Sequence, residues 1–181
     1  MQREKNREEK AIISKAPDEV LNSVKQMIGL LETEQKRLDK LIEEHINKHK
    51  NLKENKALLK SIPGVGKVVA TRMLMLMGSR EFKSASQCAA YLGLVPVERL
   101  SGTSVKGRSR LSKAGNPAIR AKLYMAAVVA TRYNPDIQAQ YERLTKKGKS
   151  KMSALGAAMR KLVQICFGVL KHQKPYQPQV G

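Results

Sequence analysis

Apolar and polar positions alternate at helical spacing along most of the chain, and breaks in that rhythm divide it into elements. From Asp18 to about Ser61 there is no proline and only one glycine, Gly29, so the stretch reads as one long helix or two. Val24, Leu31, Leu38, His45 and Leu52 fall at one heptad position, and Met27, Glu34, Leu41 and Lys48 at the other. Six of those nine are apolar, so the seam predicts an amphipathic coiled-coil segment that needs a second copy or a returning helix against it. Residues 1–17 mix charges without a clear period and read as a connector. Helices are further predicted over Lys53–Lys60, Lys67–Met77 and Ser84–Leu92, the last with a Ser84 to Gln87 capping-box spacing. Asn116-Pro117 and Asn134-Pro135 each offer a capping side chain followed by proline, the start signal of a helix. Ala118–Thr131 is apolar on most sides and is expected to be central, and Lys151–His172 carries one apolar face. Pro175 and Pro178 end this order, and residues 174–181 are expected to fray.

Two stretches depart from helical rhythm. In Ile62-Pro63-Gly64-Val65-Gly66-Lys67 a proline and two glycines let the chain reverse between two helices, the pattern of a helix-hairpin-helix. The amides of Val65, Gly66 and Lys67 would open the second helix, where the dipole favours an anion such as a nucleic-acid phosphate. An ordinary helix–helix turn has the same composition. Val97–Pro117 holds Gly102, Gly107 and Gly115 among four serines and five basic residues, and predicts a flexible basic loop or short hairpin. No longer strand pattern occurs. The predicted class is all-α: a long coiled-coil helix over 18–54, then a compact helical domain over 55–173 containing the helix-hairpin-helix.

Charge sharpens this division. Residues 1–54 hold 12 Lys/Arg and 11 Asp/Glu, a net of +1, whereas residues 55–181 hold 23 against four, a net of +19. Such an imbalance points to a polyanionic partner, and with two Phe, five Tyr and no Trp the affinity must come mainly from phosphate contacts. No run approaches ~18 consecutive apolar residues, so no membrane partner is expected. Cys88 and Cys166 lie in apolar helical patterns and read as buried thiols in a reducing compartment. Four scattered acids cannot build a two-metal nuclease, and no metal constellation is visible. The internal candidate for phosphodiester chemistry is Ser101 beside Gly102, with Arg99, Lys106, Arg108 and Arg110 near enough in sequence to clamp a phosphate. Turn composition alone would also explain a Ser-Gly pair there.

The order of the motifs carries a resemblance. Ile62-Pro63-Gly64-Val65-Gly66, Phe82-Lys83-Ser84-Ala85, Ala90-Tyr91-Leu92-Gly93-Leu94-Val95-Pro96, Ser101-Gly102 and Lys113-Ala114-Gly115-Asn116-Pro117-Ala118-Ile119-Arg120 follow one another as in the C-terminal domain of an insertion-sequence transposase family. That family is the IS-one-ten group, related to the Piv invertase, and the likeness spans residues 55–175. It implies a coiled coil preceded by a RuvC-like domain with a DEDD carboxylate set and magnesium, a bridging guide RNA, DNA as substrate, and a nucleophilic serine at the position of Ser101. The nucleic-acid-binding residues expected on this basis are Gly64, Val65, Gly66, Lys67, Arg99, Lys106, Arg108, Arg110, Lys113 and Arg120. These 181 residues leave no room for the RuvC-like domain, so the expectation is a truncated, split or standalone form, with no cofactor in this chain and Mg2+ in the absent domain. It would oligomerise through the coiled coil, reside in the cytoplasm at the nucleoid, and need the RuvC-like half for activity. The competing expectation is a non-catalytic helix-hairpin-helix module that binds nucleic acid and dimerises.

Overall fold

A computed structural model describes residues 1–97 and 110–179, together with the backbone of 100–101 and 105–106. The described residues form eight helices and two short antiparallel strand pairs, so the all-α class holds. Two compact units divide the chain, Met1–Lys53 and Glu54–Gly181.

In the first unit, α1 (Gln2–Ile13) turns at Lys15, which adopts φ 49°, into α2 (Asp18–Lys48). The charged leader is thus a helix packed on α2, and Lys5 Nζ meets Glu32 at 2.9 Å. Its lack of apolar period concealed a helix that supplies no buried side chain of its own. Leu21, Val24 and Leu31 are half-buried on α2 and Ile28 is buried, whereas Leu38 and Leu41 stay exposed. Charges here pair locally, as in Arg37–Glu34 at 2.6 Å and Lys40–Glu44 at 3.9 Å, which at the surface adds little stability. α2 ends where His49 takes an extended conformation, and α3 (Lys50–Lys60) follows, so the long stretch is two helices.

The second unit contains the rest of α3, α4 (Lys67–Ser79), α5 (Ala85–Tyr91), α6 (Pro117–Tyr133), α7 (Pro135–Lys146) and α8 (Lys151–His172). Their starts follow from local chemistry. Asn116 Oδ1 accepts from the Ala118 amide at 2.8 Å, Asn134 from Ile137 at 3.2 Å, and Ser84 Oγ from Gln87 at 3.1 Å. The centre of the unit is α8, which packs on α5, α6 and α7 and buries Leu155, Met159, Leu162, Val163 and Cys166. α8 is long and apolar enough to cross a membrane by length and composition, but here its apolar face is core. α6 buries only Leu123, Ala126, Ala127 and Ala130 and exposes Met125, Val129 and Tyr133, so it is less central than its composition predicts. Cys88 and Cys166 are buried and unbridged, and burial pushes their thiols up to about 11 and about 12.

The tail corrects a second expectation. Residues 174–179 return to the unit instead of fraying. The Tyr176 amide donates to Ser61 Oγ at 2.8 Å, and its hydroxyl donates to Asp136 Oδ2 at 2.7 Å, 2.9 Å from Asn134 Oδ1. The Gln179 amide donates to Asp136 Oδ1 at 3.0 Å. Polar partners fixed elsewhere in the fold, which sequence spacing does not reveal, hold the segment. Burial, then the neighbouring Asp136 carboxylate, pushes the Tyr176 phenol up to about 12. Tyrosine titrates near 10 in an unfolded chain, so this group stabilises the fold below about pH 10 and loses that contribution as pH rises towards 12. Thermal unfolding from pH 9 to 12 should therefore show a stability gap between the native chain and Tyr176→Phe that closes with rising pH; a constant gap would refute the latch.

Candidate nucleic-acid interface

The turn between α3 and α4 divides its candidate residues by direction. Gly64 has φ +94°, and a Cβ there would lie 2.7 Å from Ala130 Cβ and 3.0 Å from Ala126 O. It is the point where the turn sits against α6. Val65 is buried and its amide donates to Ile62 O at 2.9 Å, so that amide is spent inside the turn and does not face a ligand as expected. Asn134 Nδ2 donates to Pro63 O at 3.4 Å, which ties the turn to the start of α7. Gly66 and Lys67 face outward. Gly66 caps α4 without a side chain, and a Cβ placed on it would meet nothing within 4 Å. The positive end of the α4 dipole thus carries no side-chain cap from its N-cap residue, and Gly66, Lys67 and Val68 are exposed there.

The basic loop leaves the helices through a stem. β1 (Pro96–Val97) pairs with β4 (Arg110–Leu111), and β2 (Leu100–Ser101) with β3 (Val105–Lys106), both antiparallel and nested in sequence. The expected loop is thus at least partly a paired ribbon, with Ser101 opposite Val105. Backbone fusion at its foot explains why. A Cβ on Gly115 would lie 2.3 Å from Tyr91 O, and one on Gly93, at φ +70°, 2.7 Å from the Ala114 amide nitrogen. The Lys113 and Ser112 amides donate across to Gly93 O and Val95 O. Arg120 is part-buried and donates to Gly115 O, so one of its nitrogens is committed to this foot. Arg110 and Lys113 are exposed there. Arg99, Arg108 and Gly102 lie outside the described residues, as do the side chains of Ser101 and Lys106.

α6 links the two regions. Arg120 stands at the ribbon foot and Ala130 at the turn, ten residues and about 15 Å apart along the axis, the rise of four to five nucleotides in a B-form strand. A further cationic group was visible in sequence only as a basic turn. Lys146, Lys147, Lys149 and Lys151 surround Gly148 just before α8, whose Gly156 lies against Leu111 of β4, a Cβ there falling 3.3 Å from Leu111 Cδ1. That contact brings the turn to the ribbon side of the unit. The described acids do not converge: Asp136 is engaged by Tyr176 and Gln179, Glu142 accepts from Gln138, and Glu81 lies between α4 and α5. Among the described residues, no three or more His, Cys, Asp or Glu side chains gather to hold a metal ion.

Residues 56–142, spanning the turn, the ribbon and α6, match the family model for transposases of the IS116/IS110/IS902 group. This segment belongs to that transposase family. Among proteins similar to this chain, the pilin gene-inverting protein of Moraxella lacunata is 34% identical over 147 residues, covering 80% of this chain and 45% of the relative. The IS900 42 kDa protein of Mycobacterium paratuberculosis is 29% identical over 150 residues, 82% of this chain and 36% of the relative. The IS110 43.6 kDa protein of Streptomyces coelicolor is 28% identical over 124 residues, 68% and 30%. The chain spans less than half the length of each of these relatives.

Proposed function

We propose that this chain is the C-terminal, nucleic-acid-binding and serine-bearing part of a DNA transposase or recombinase. The observation that carries the reading is the family relation of residues 56–142, a segment lying within a unit rich in unbalanced cations. One relative is named for inverting a gene, which fits strand cleavage and rejoining. In this reading the α3–α4 turn is a helix-hairpin-helix that holds a backbone phosphate at Gly66 and Lys67. The ribbon presents Ser101, while Arg110, Lys113 and Arg120 with the loop cations Arg99, Lys106 and Arg108 hold the phosphate at which it acts. Carboxylates and Mg2+ come from a RuvC-like domain, a guide RNA is the second nucleic-acid partner, and α2 pairs as a coiled coil through its exposed Leu38 and Leu41. By itself the chain binds without cutting.

Binding tests the reading. Affinity for DNA should fall steeply as salt rises, with a slope near −0.9 per phosphate neutralised. Gly66→Asp separates ligand from fold. The site is open, and an N-cap carboxylate on α4 should raise stability by a few tenths of a kcal/mol over glycine. The same carboxylate should occupy the helix end, repel phosphate and weaken binding about tenfold. Unchanged affinity in a folded Gly66→Asp variant would remove the turn from the interface, and salt-independent binding would sink the nucleic-acid reading.

A further inference from the structure

At the foot of the ribbon a slot of about 260 Å3 opens between α6 and α8. Leu155 and Met159 form its buried base, and Tyr124 and Met152 stand at its mouth, Met152 being 65% exposed. Lys113 and Arg120 supply its charged rim. Gly156 keeps it open, since a side chain there would grow from a position already close to Leu111. A thioether and a phenol ring left in water beside a lined cavity mark a surface that something covers.

The slot's size and chemistry narrow the occupant. It is smaller than the ~300–1,000 Å3 of pockets that bury drug-sized ligands, so it suits a single ring system. Apolar walls with one aromatic and two methionines suit a flat π-face, and two cations on the rim suit the phosphate joined to that ring. An apolar peptide side chain would fill the walls but leave the cations without a role. We propose that the slot takes one nucleobase turned out of its stack, from the strand whose phosphate rests on Lys113 and Arg120. The proposal rests on the nucleic-acid reading above and adds to it a fixed register: one seated base would align the backbone with the ribbon that bears Ser101. Unstacking costs least in single strands and mismatched sites, so these bind best.

The test uses the full chain and DNA oligonucleotides, single- and double-stranded, carrying 5-iodouracil at successive positions. Irradiation followed by mass spectrometry of the cross-linked peptides should place the base on Tyr124 or Met152. Both are exposed, so Tyr124→Ala and Met152→Ala should fold normally. Loss of one stacking surface should weaken binding by about 5- to 100-fold with the salt slope unchanged, whereas Lys113→Ala should lower that slope by about one. Binding with cross-links only elsewhere, or with Tyr124→Ala within twofold of the native chain, overturns the slot while leaving the wider interface standing. Absence of any binding overturns both.

Discussion

Alanine at position 101 is expected to abolish covalent attachment of the chain to DNA, by more than about 10^3-fold, while DNA affinity stays within about twofold. In the proposed chemistry the Ser101 oxygen attacks a phosphodiester phosphorus. A P–Oγ ester forms, the bond to the leaving strand oxygen breaks, the hydroxyl proton passes to a base, and the departing oxygen takes up a proton. The ester conserves the bond for rejoining. A methyl group cannot form it, and neither a cation nor a metal supplied by another domain replaces the missing oxygen. The backbone at Ser101 pairs with Val105 as a two-residue strand, which alanine also tolerates, so the ribbon should persist. The measurement is a denaturing gel of labelled DNA ends incubated with the chain, a guide RNA and a separately supplied RuvC-like domain. An adduct of equal yield from Ser101→Ala would move the nucleophile elsewhere.

Valine at position 115 should unfold the second unit at temperatures where the native chain is stable. A Cβ there would lie 2.3 Å from Tyr91 O, 2.5 Å from Leu92 C and 2.7 Å from Leu92 Cα, all backbone atoms at the end of α5. Backbone cannot swing aside as a lysine tip can, so the ribbon foot must separate from α5, and the Lys113–Gly93 and Ser112–Val95 hydrogen bonds strain with it. A cost of at least ~3 kcal/mol follows, or a melting temperature lower by roughly 6–12 °C in a domain of this size. Gly168→Ala is the control within the same unit. That glycine lies inside α8 with nothing within 4 Å of its would-be Cβ, so alanine should add about 0.5–1 kcal/mol. Equal melting of Gly115→Val and the native chain would mean the ribbon foot is not closed as described.

The contrast between these two glycines shows where sequence reading stops. Both are single glycines in the sequence, and only the identity of the neighbour in space separates a fused contact from open room. The same holds at the turn. Gly64 and Gly66 looked like one anion-binding motif, yet one packs on α6 and the other faces solvent. Arg120, grouped with the loop cations by its charge, spends one nitrogen on Gly115 O. Lys146, Lys147 and Lys149 were plain in the sequence, but nothing there tied them to the ribbon, because the contact of Gly156 with Leu111 is long-range. The slot was invisible for the same reason: its walls join β4 and the start of α6 to the start of α8, which is distant along the chain.

The sequence by itself determined helices α4 to α8 and their starts, since caps, prolines and apolar spacing act within a few residues. Asn116, Asn134 and Ser84 cap as their neighbours dictate. It also determined the charge division and the order of motifs that marks the family, because both are properties of the string. Only the tertiary structure decided that residues 174–179 dock, that α8 and not α6 is central, and that the foot of the basic stretch packs backbone against backbone at Gly93 and Gly115. Each of those outcomes depends on partners tens of residues away. A hydrogen bond from Tyr176 to Asp136, or a backbone contact between Gly115 and Tyr91, exists only once the helices have brought both ends together.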